Sequence, residues 1–247
     1  MGQFPLMKIS LIIPAFNEEK LIGESLRSIH DATRSFTGCG WETELIVCDN
    51  NSTDGTAELA RAAGARVVFE PVNQISRARN RGAELATGDW LVFIDADSSP
   101  SAALFADVAR AIKAGDCLGG GCTVRMDGLP RVAAAATRLW NGLSRICTWM
   151  AGSFIFCAAP AFRQLGGFSL ELYVAEEIDF SRRLKKLARQ SRKKLLILHG
   201  HPLHTSARKL RLYTIGEYLW FLARAIGGGG RVFRNRSACV PWYDGRR

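Results

Sequence analysis

The chain has 247 residues, 47% of them hydrophobic and 23% charged, the balance of an ordinary globular protein. It carries enough Leu, Ile, Val, Phe and Trp to bury a core against its ordering entropy, which excludes disorder as its main state. The formal net charge of +10 conceals an asymmetry: residues 1–130 hold 12 Lys and Arg against 17 Asp and Glu, net −5, and residues 131–247 hold 21 against 6, net +15.

From Lys8 onward, short apolar runs alternate with amphipathic ones. Residues 9–13, 44–48, 66–69 and 90–94 have the length and branched or aromatic content of buried strands. Residues 18–33, 56–63 and 75–86 have helical spacing, as in Leu21, Leu26 and Ile29. Such alternation predicts an α/β fold: a Rossmann-like, mostly parallel sheet flanked by helices, with ligands at the carboxyl ends of the strands. Asn17 before two glutamates, and Ser52-Thr53-Asp54-Gly55, read as helix starts. Beyond Asp97 the spacing predicts helices over 101–114, 131–150, 176–190 and 212–226 and strands over 118–126, 154–158 and 193–198. Gly227 to Gly230 closes the last helix and is expected to open a mobile tail. The expected organisation is one continuous domain, with residues 1–130 binding the first substrate and residues 131–247 forming an irregular second half.

Seven cysteines with no C-x-x-C pair speak against a zinc site or disulfide framework. The first eight residues lack the basic start and apolar stretch of a secretory signal, so a cytoplasmic location is expected. The longest uncharged run, residues 146–162, contains Gly152, Ser153 and Pro160 and reads as buried protein rather than a membrane span.

Polar residues collect at three strand ends. The first, Ile13-Pro14-Ala15-Phe16-Asn17-Glu18-Glu19, has a proline expected to stop the ladder and a turn offering backbone N–H groups and a carboxylate. The second, Cys48-Asp49-Asn50-Asn51, offers a carboxylate and amides able to hydrogen-bond a base or ribose. The fourth, Ile94-Asp95-Ala96-Asp97, sets two carboxylates two residues apart, an arrangement that a hard divalent cation relieves.

These motifs, with Ala78-Arg79-Asn80-Arg81-Gly82 and Ala86-Thr87-Gly88-Asp89, resemble family 2 of the nucleotide-sugar glycosyltransferases, which has the GT-A fold. The likeness is dense over the first hundred residues and thinner through Ser206. It implies that Pro14, Ala15, Phe16, Glu18 and Asp49 grip the nucleotide, and that Asp95 and Ala96 lie at the ribose and metal. It also implies Asp97 as a metal ligand, with Mn or Mg as the cofactor. Members more often carry two acids where Asp49-Asn50 stands, leaving uracil or guanine open. Arg77 and Arg79 fit the family's basic helix start, where a guanidinium approaches the diphosphate or holds Asp95; a solvated helix face is the alternative.

Leu165-Gly166-Gly167-Phe168 followed by Ala175-Glu176-Glu177-Ile178-Asp179 resembles the family's acceptor loop and helix. The resemblance implies Glu177 as the general base, with Glu176 beside it, where the family commonly has Glu-Asp. His204 is the late histidine favoured to complete the metal site, and Arg208 and Lys209 are candidates to neutralise the leaving diphosphate.

The implied activity is a metal-dependent, inverting transfer of one sugar from a nucleoside diphosphate, UDP before GDP, to an acceptor hydroxyl. The Gln-x-x-Arg-Trp motif and membrane helices of the family's processive synthases are not found in this sequence. A nucleotidyltransferase is the first alternative, although no Gly-rich basic loop follows the first strand. A non-catalytic nucleotide-sugar-binding module is the second. The basic run at 182–194 lacks aromatic interleaving, so nucleic acid is not expected as a partner. An anionic acceptor, or one held at an anionic membrane surface, fits the charge better; a solvated face is the alternative.

Overall fold

The protein is described by a computed structural model covering residues 7–208 and 231–239. The helix expected over 212–226, the glycine run at 227–230 and Lys209 lie outside the described residues. In chain order the elements are β1 (Lys8–Ala15), α1 (Ile22–Ala32), α2 (Arg34–Thr37), β2 (Glu42–Asp49), α3 (Thr56–Ala62), β3 (Arg66–Phe69), α4 (Ile75–Leu85), β4 (Trp90–Ile94) and β5 (Ser98–Ser99). There follow α5 (Ala102–Ala114), β6 (Cys117–Arg125), α6 (Arg131–Cys147), β7 (Phe154–Ala158), α7 (Ala159–Gln164), α8 (Glu176–Gln190) and β8 (Lys194–Thr205).

The strands form one eight-stranded sheet in the order β3-β2-β1-β4-β7-β6-β8-β5. β3, β2, β1 and β4 are parallel, β7 is antiparallel to β4 and β6, and β8 runs parallel to β6. Strand periodicity of two separates the core into two layers. Leu11, Val47, Val92 and Ile94 pack on one face with Leu26, Phe36, Phe105 and Val108. Ile12, Ile46, Leu91 and Phe93 pack on the other with Phe162, Phe168, Phe180 and Leu184. β2 and β4 flank β1 on opposite sides, so strand order reverses there and the carboxyl ends open a crevice. The polar strand ends read from the sequence meet around it.

Two features position the second half on this sheet. In β6 a methyl group on Gly120 would fall 2.0 Å from the Leu196 carbonyl oxygen, so only glycine lets β8 approach there. On the other face Phe168 packs at a tilt against Phe180 at 4.7 Å and meets Phe93 edge-on at 5.1 Å, fastening the 165–170 loop and α8 to β4.

Three sequence expectations are corrected. Pro14 does not stop the ladder: β1 runs through Ala15, whose carbonyl accepts the Asn50 N–H at 2.8 Å. Residues alternate sides along a strand, so Pro14 turns its missing N–H away from β2, where pairing with β4 has already ended at Ile12 and Phe93. α1 starts at Ile22, with the Glu18 carbonyl accepting the Leu21 and Ile22 N–H groups. β8 continues to Thr205, so His199, His201 and His204 lie within a strand rather than after one. Pairing with the end of β6 and with β5 extends it past the apolar residues that signal its start.

Candidate active site

The first two strand ends are sewn together. Asn17 is not a helix cap: it takes a left-handed backbone, φ 51°, and its side-chain oxygen accepts the Thr53 N–H at 2.8 Å. The Glu18 N–H donates to Thr56 Oγ1 at 2.8 Å, and the Gly55 N–H donates to Glu19 Oε2 at 3.1 Å. Burial opposes ionisation of Asp54. Hydrogen bonds from the Thr56 hydroxyl and from the Glu19 and Thr56 N–H groups outweigh it and hold the carboxyl below its ordinary range. Asp49 is buried next to Ala15 in the ladder and accepts the Ser52 N–H at 3.0 Å. Asn50 has both ends of its amide engaged, donating to the Glu70 and Val72 carbonyls and accepting the Gln74 N–H. Pro14 and Ala15 are buried and Phe16 is half-buried at the crevice edge.

A second cluster forms around Arg79, which is 1% exposed on α4. Its Nη2 donates to Asp95 at 3.1 Å and to the Gly152 carbonyl at 2.7 Å, and its Nη1 donates to Glu176 at 2.7 Å. The guanidinium lies over the Phe168 ring, 5.2 Å from its centre. One buried cation therefore bridges the end of β4 to the first turn of α8. Glu177 is beside it: a methyl group on Gly152 would lie 3.3 Å from Arg79 Nη2 and 3.6 Å from Glu177 Cδ. Burial first, and the Glu176 carboxylate second, push the Glu177 carboxyl up to about 8, with Arg79 pulling the other way. Burial raises Glu176 as well, again opposed by Arg79. Arg77 is not part of this cluster; its Nε donates to Glu70 at 3.0 Å beside a separate groove of about 520 Å³.

The third cluster lies across β4. Arg208 donates to both carboxylate oxygens of Glu18, at 2.6 and 2.8 Å, and sits 3.9 Å from Asp97 Oδ2. Burial works against its charge, but Glu18 and Asp97 hold it protonated. The buried Arg208 Nε carries no hydrogen bond among the described residues. Asp97, Asp127 and His204 line one cleft of about 260 Å³ with Ser99 and Ser206, and His204 Nδ1 stands 3.3 Å from Asp127. Ala96 is buried between the two acids of β4's end, which face different clusters. A carboxylate and an imidazole suit Mn or Mg. Among the described residues no three His, Cys, Asp or Glu side chains gather closely enough to hold an ion. Asp97 and His204 share this cleft, so an ion held there would take most of its shell from ligand oxygens and water.

Sequence reasoning missed the pairing of Glu18 with Arg208, 190 residues apart, and that of Arg79 with Glu176, 97 apart. It also passed over Gly152 and Asp127. Asp127 sits in an Asp-Gly turn and carried only a turn signal.

The sequence model described as Glycosyl transferase family 2 matches residues 10–151. The chain is similar to the uncharacterized glycosyltransferase YfnE of Bacillus subtilis, 35% identical over 113 residues that cover 44% of this chain and 27% of that protein. The first curated relatives are matched over only 27–35% of their own length. Among solved structures, S. aureus TarS 1-349 in complex with UDP-GlcNAc aligns with a TM-score of 0.63 at 21% identity, covering 95% of this chain and 66% of that one. The mannosyltransferase PcManGT from Pyrobaculum calidifontis, in complex with GDP-Man and Mn2+, aligns with a TM-score of 0.67 at 19% identity, covering 96% and 67%. At these identities the structures show a shared fold, the GT-A arrangement of a mixed sheet between helices.

Proposed function

The chain belongs to glycosyl transferase family 2, and from that premise we propose that it transfers one sugar from a nucleoside diphosphate sugar to an acceptor hydroxyl with inversion. The observation that supports this reading best is the buried Arg79, whose guanidinium joins Asp95, at the crevice, to Glu176 on the helix that carries Glu177. In the reaction the acceptor oxygen attacks the anomeric carbon while Glu177 takes its proton. A bond from oxygen to carbon forms, the bond to the diphosphate oxygen breaks, and the nucleoside diphosphate leaves from the opposite face. A single displacement with no enzyme nucleophile inverts the anomeric centre.

A carboxyl poised near 8 suits this task, because a base near the working pH combines availability with proton affinity. Glu176, tied to Arg79, holds the first turn of α8 rather than the proton. Asp49, Glu18 and the first strand end are the nucleotide-binding residues in this reading. Arg208, with a buried N–H left over, supplies positive charge for the departing diphosphate. Asp97 and His204 would hold a divalent ion, which when bound neutralises diphosphate charge. UDP is the nucleotide expected, in line with the UDP-GlcNAc bound to the TarS neighbour; the GDP-Man complex of PcManGT makes GDP the alternative. The acceptor is a hydroxyl compound that is anionic or held at a membrane.

The test is a panel of UDP-, GDP- and dTDP-sugars, read as thermal stabilisation with and without Mn²⁺ and as slow hydrolysis. One donor should raise the melting temperature, with a stabilisation of about 2.7 kcal/mol at a hundredfold excess over Kd. Asp97→Ala should lose the metal-dependent part. Binding without hydrolysis would favour a non-catalytic module, and no stabilisation by any donor would remove the proposal.

A further inference from the structure

Helix α6 is turned inside out. Its inward face carries Thr137, Asn141 and Ser144, and Asn141 clasps β6 by accepting the Val124 N–H at 3.0 Å and donating to the Val124 carbonyl at 2.8 Å. Ser144 is its single buried residue. Its large apolar side chains point the other way: Val132 is 69% exposed, Leu139 66%, Leu143 40% and Ile146 81%. At 3.6 residues per turn these four fall, with Ala135 and Ala136, within an arc of about 100° nearly opposite the packed face. Arg131, Arg138 and Arg145, all exposed, form a row along one flank of that arc at seven-residue spacing. No Asp or Glu occurs from residue 128 to residue 170.

We propose that the outer face of α6 docks on an anionic lipid surface, the apolar stripe entering the headgroup boundary and the arginine row pairing with lipid phosphates. Apolar side chains beside an unopposed basic row are the signature of a helix lying in a membrane interface. The alternative of a second copy fits the charge poorly, because antiparallel pairing of two such helices sets one arginine row against the other with no acid between them. No helix among the described residues is long and apolar enough to cross a membrane, so surface docking is the mode that α6 supports.

The position of α6 gives docking a consequence. Lys185 on α8 donates to the Cys147 carbonyl at the end of α6 at 2.9 Å, and the Met150 N–H donates to Ser181 Oγ, which donates to the Glu177 carbonyl. Two residues beyond Met150 lies Gly152, against Arg79 and Glu177. The segment that leaves the end of a docked α6 therefore runs straight to the proposed base. The identity of what the membrane presents, an acceptor hydroxyl, rests on the transferase reading; the docking itself does not.

The experiment is co-sedimentation of the full chain with vesicles of phosphatidylcholine alone and with 30% phosphatidylglycerol, with wild type, Leu139→Asp/Ile146→Asp and Arg131→Gln/Arg138→Gln/Arg145→Gln. Light scattering and thermal melts of each protein accompany it. Wild type should bind the anionic vesicles. The aspartate pair should lower the bound fraction at least tenfold with an unchanged melting temperature, and the glutamine triple should lose the preference for anionic lipid. Equal binding by the aspartate pair overturns the proposal. So does a wild-type dimer that the pair converts to monomer, which assigns the face to a second copy. A large fall in melting temperature also overturns it, because this chain itself then covers the face. Donor hydrolysis is read separately: vesicle binding without hydrolysis in wild type sinks the transferase reading and leaves the docking intact.

Discussion

Glu177 illustrates how burial makes a weak acid useful and costly together. In the folded chain its carboxyl titrates near 8, against 4.5 for an ordinary glutamate. At pH 7 about a tenth of the molecules carry the ionised base, so kcat/KM should climb with unit slope toward pH 8 and level off above it. The same shift acts on stability. Between about pH 4.5 and 8 the folded state keeps a proton that the unfolded state has released, so the group's contribution falls as pH rises through that window. Glu177→Gln should therefore melt progressively higher than wild type from pH 5 to pH 9, and a pH-independent difference would contradict the assignment. Arg79 makes the complementary case. Arg79→Met removes the one cation between Asp95 and Glu176 and should destabilise the fold by about 3–5 kcal/mol in denaturant unfolding. A loss under 1 kcal/mol would mean that the two carboxyls find other partners.

The candidate residues were legible in the sequence because each sits in a short local motif at a strand end or a helix start. Asp95 and Asp97 announce themselves as acids after an apolar run, and Glu176 and Glu177 as acids in the first turn of a helix. Their partners were not legible, since nothing local says that Arg79 faces α8 or that Arg208 returns to Glu18. Those contacts are made by the topology.

At the scale of elements, β3, β4, β7 and α8 have the bounds expected from composition and periodicity. β4 and β7 are strands buried on both faces and α8 is a helix with strong amphipathic spacing, so pattern and packing agree there, while β3 is a short, partly exposed edge strand marked by its branched residues alone. Where they part, the expectation slips. β8 alternates His and Gly past Leu198 and is held as a strand by its neighbours, not by its residues. The 146–162 run was expected to be buried, and residues 154–157 are, yet Ile146 is 81% exposed because it ends the inverted helix α6. β6 offers a direct test of how tightly the second half is fitted. Gly120→Ala should destabilise by about 1–3 kcal/mol through collision with the Leu196 carbonyl, read as a lowered denaturant midpoint. Gly142→Ala, with open space around the added methyl group, should be neutral or stabilising.

For the whole molecule, the charge asymmetry maps onto the architecture. The net −5 portion contributes β1 to β4 and their carboxylates, and the net +15 portion contributes α6 and α8. Acidic strand ends call for a cation or a guanidinium, as Arg208 and Arg79 already supply, and the proposed role of the basic half is to meet an anionic acceptor or membrane. Exposed charges are screened over about 10 Å at 0.1 M salt. Raising salt from about 0.05 to 0.5 M should weaken acceptor turnover on anionic vesicles several-fold. Donor hydrolysis without acceptor should change little over the same range, and an equal response of both reactions would separate the charge from acceptor delivery.

One displacement at the anomeric carbon assisted by Glu177 fixes both the configuration of the transferred sugar and the rate of Glu177→Gln. From an α-linked nucleotide sugar the product should be β-linked by NMR. Glu177→Gln should keep its donor-induced melting shift while transfer falls by about 10²- to 10⁴-fold. An α-linked product, or transfer at the wild-type rate by Glu177→Gln, would contradict this mechanism.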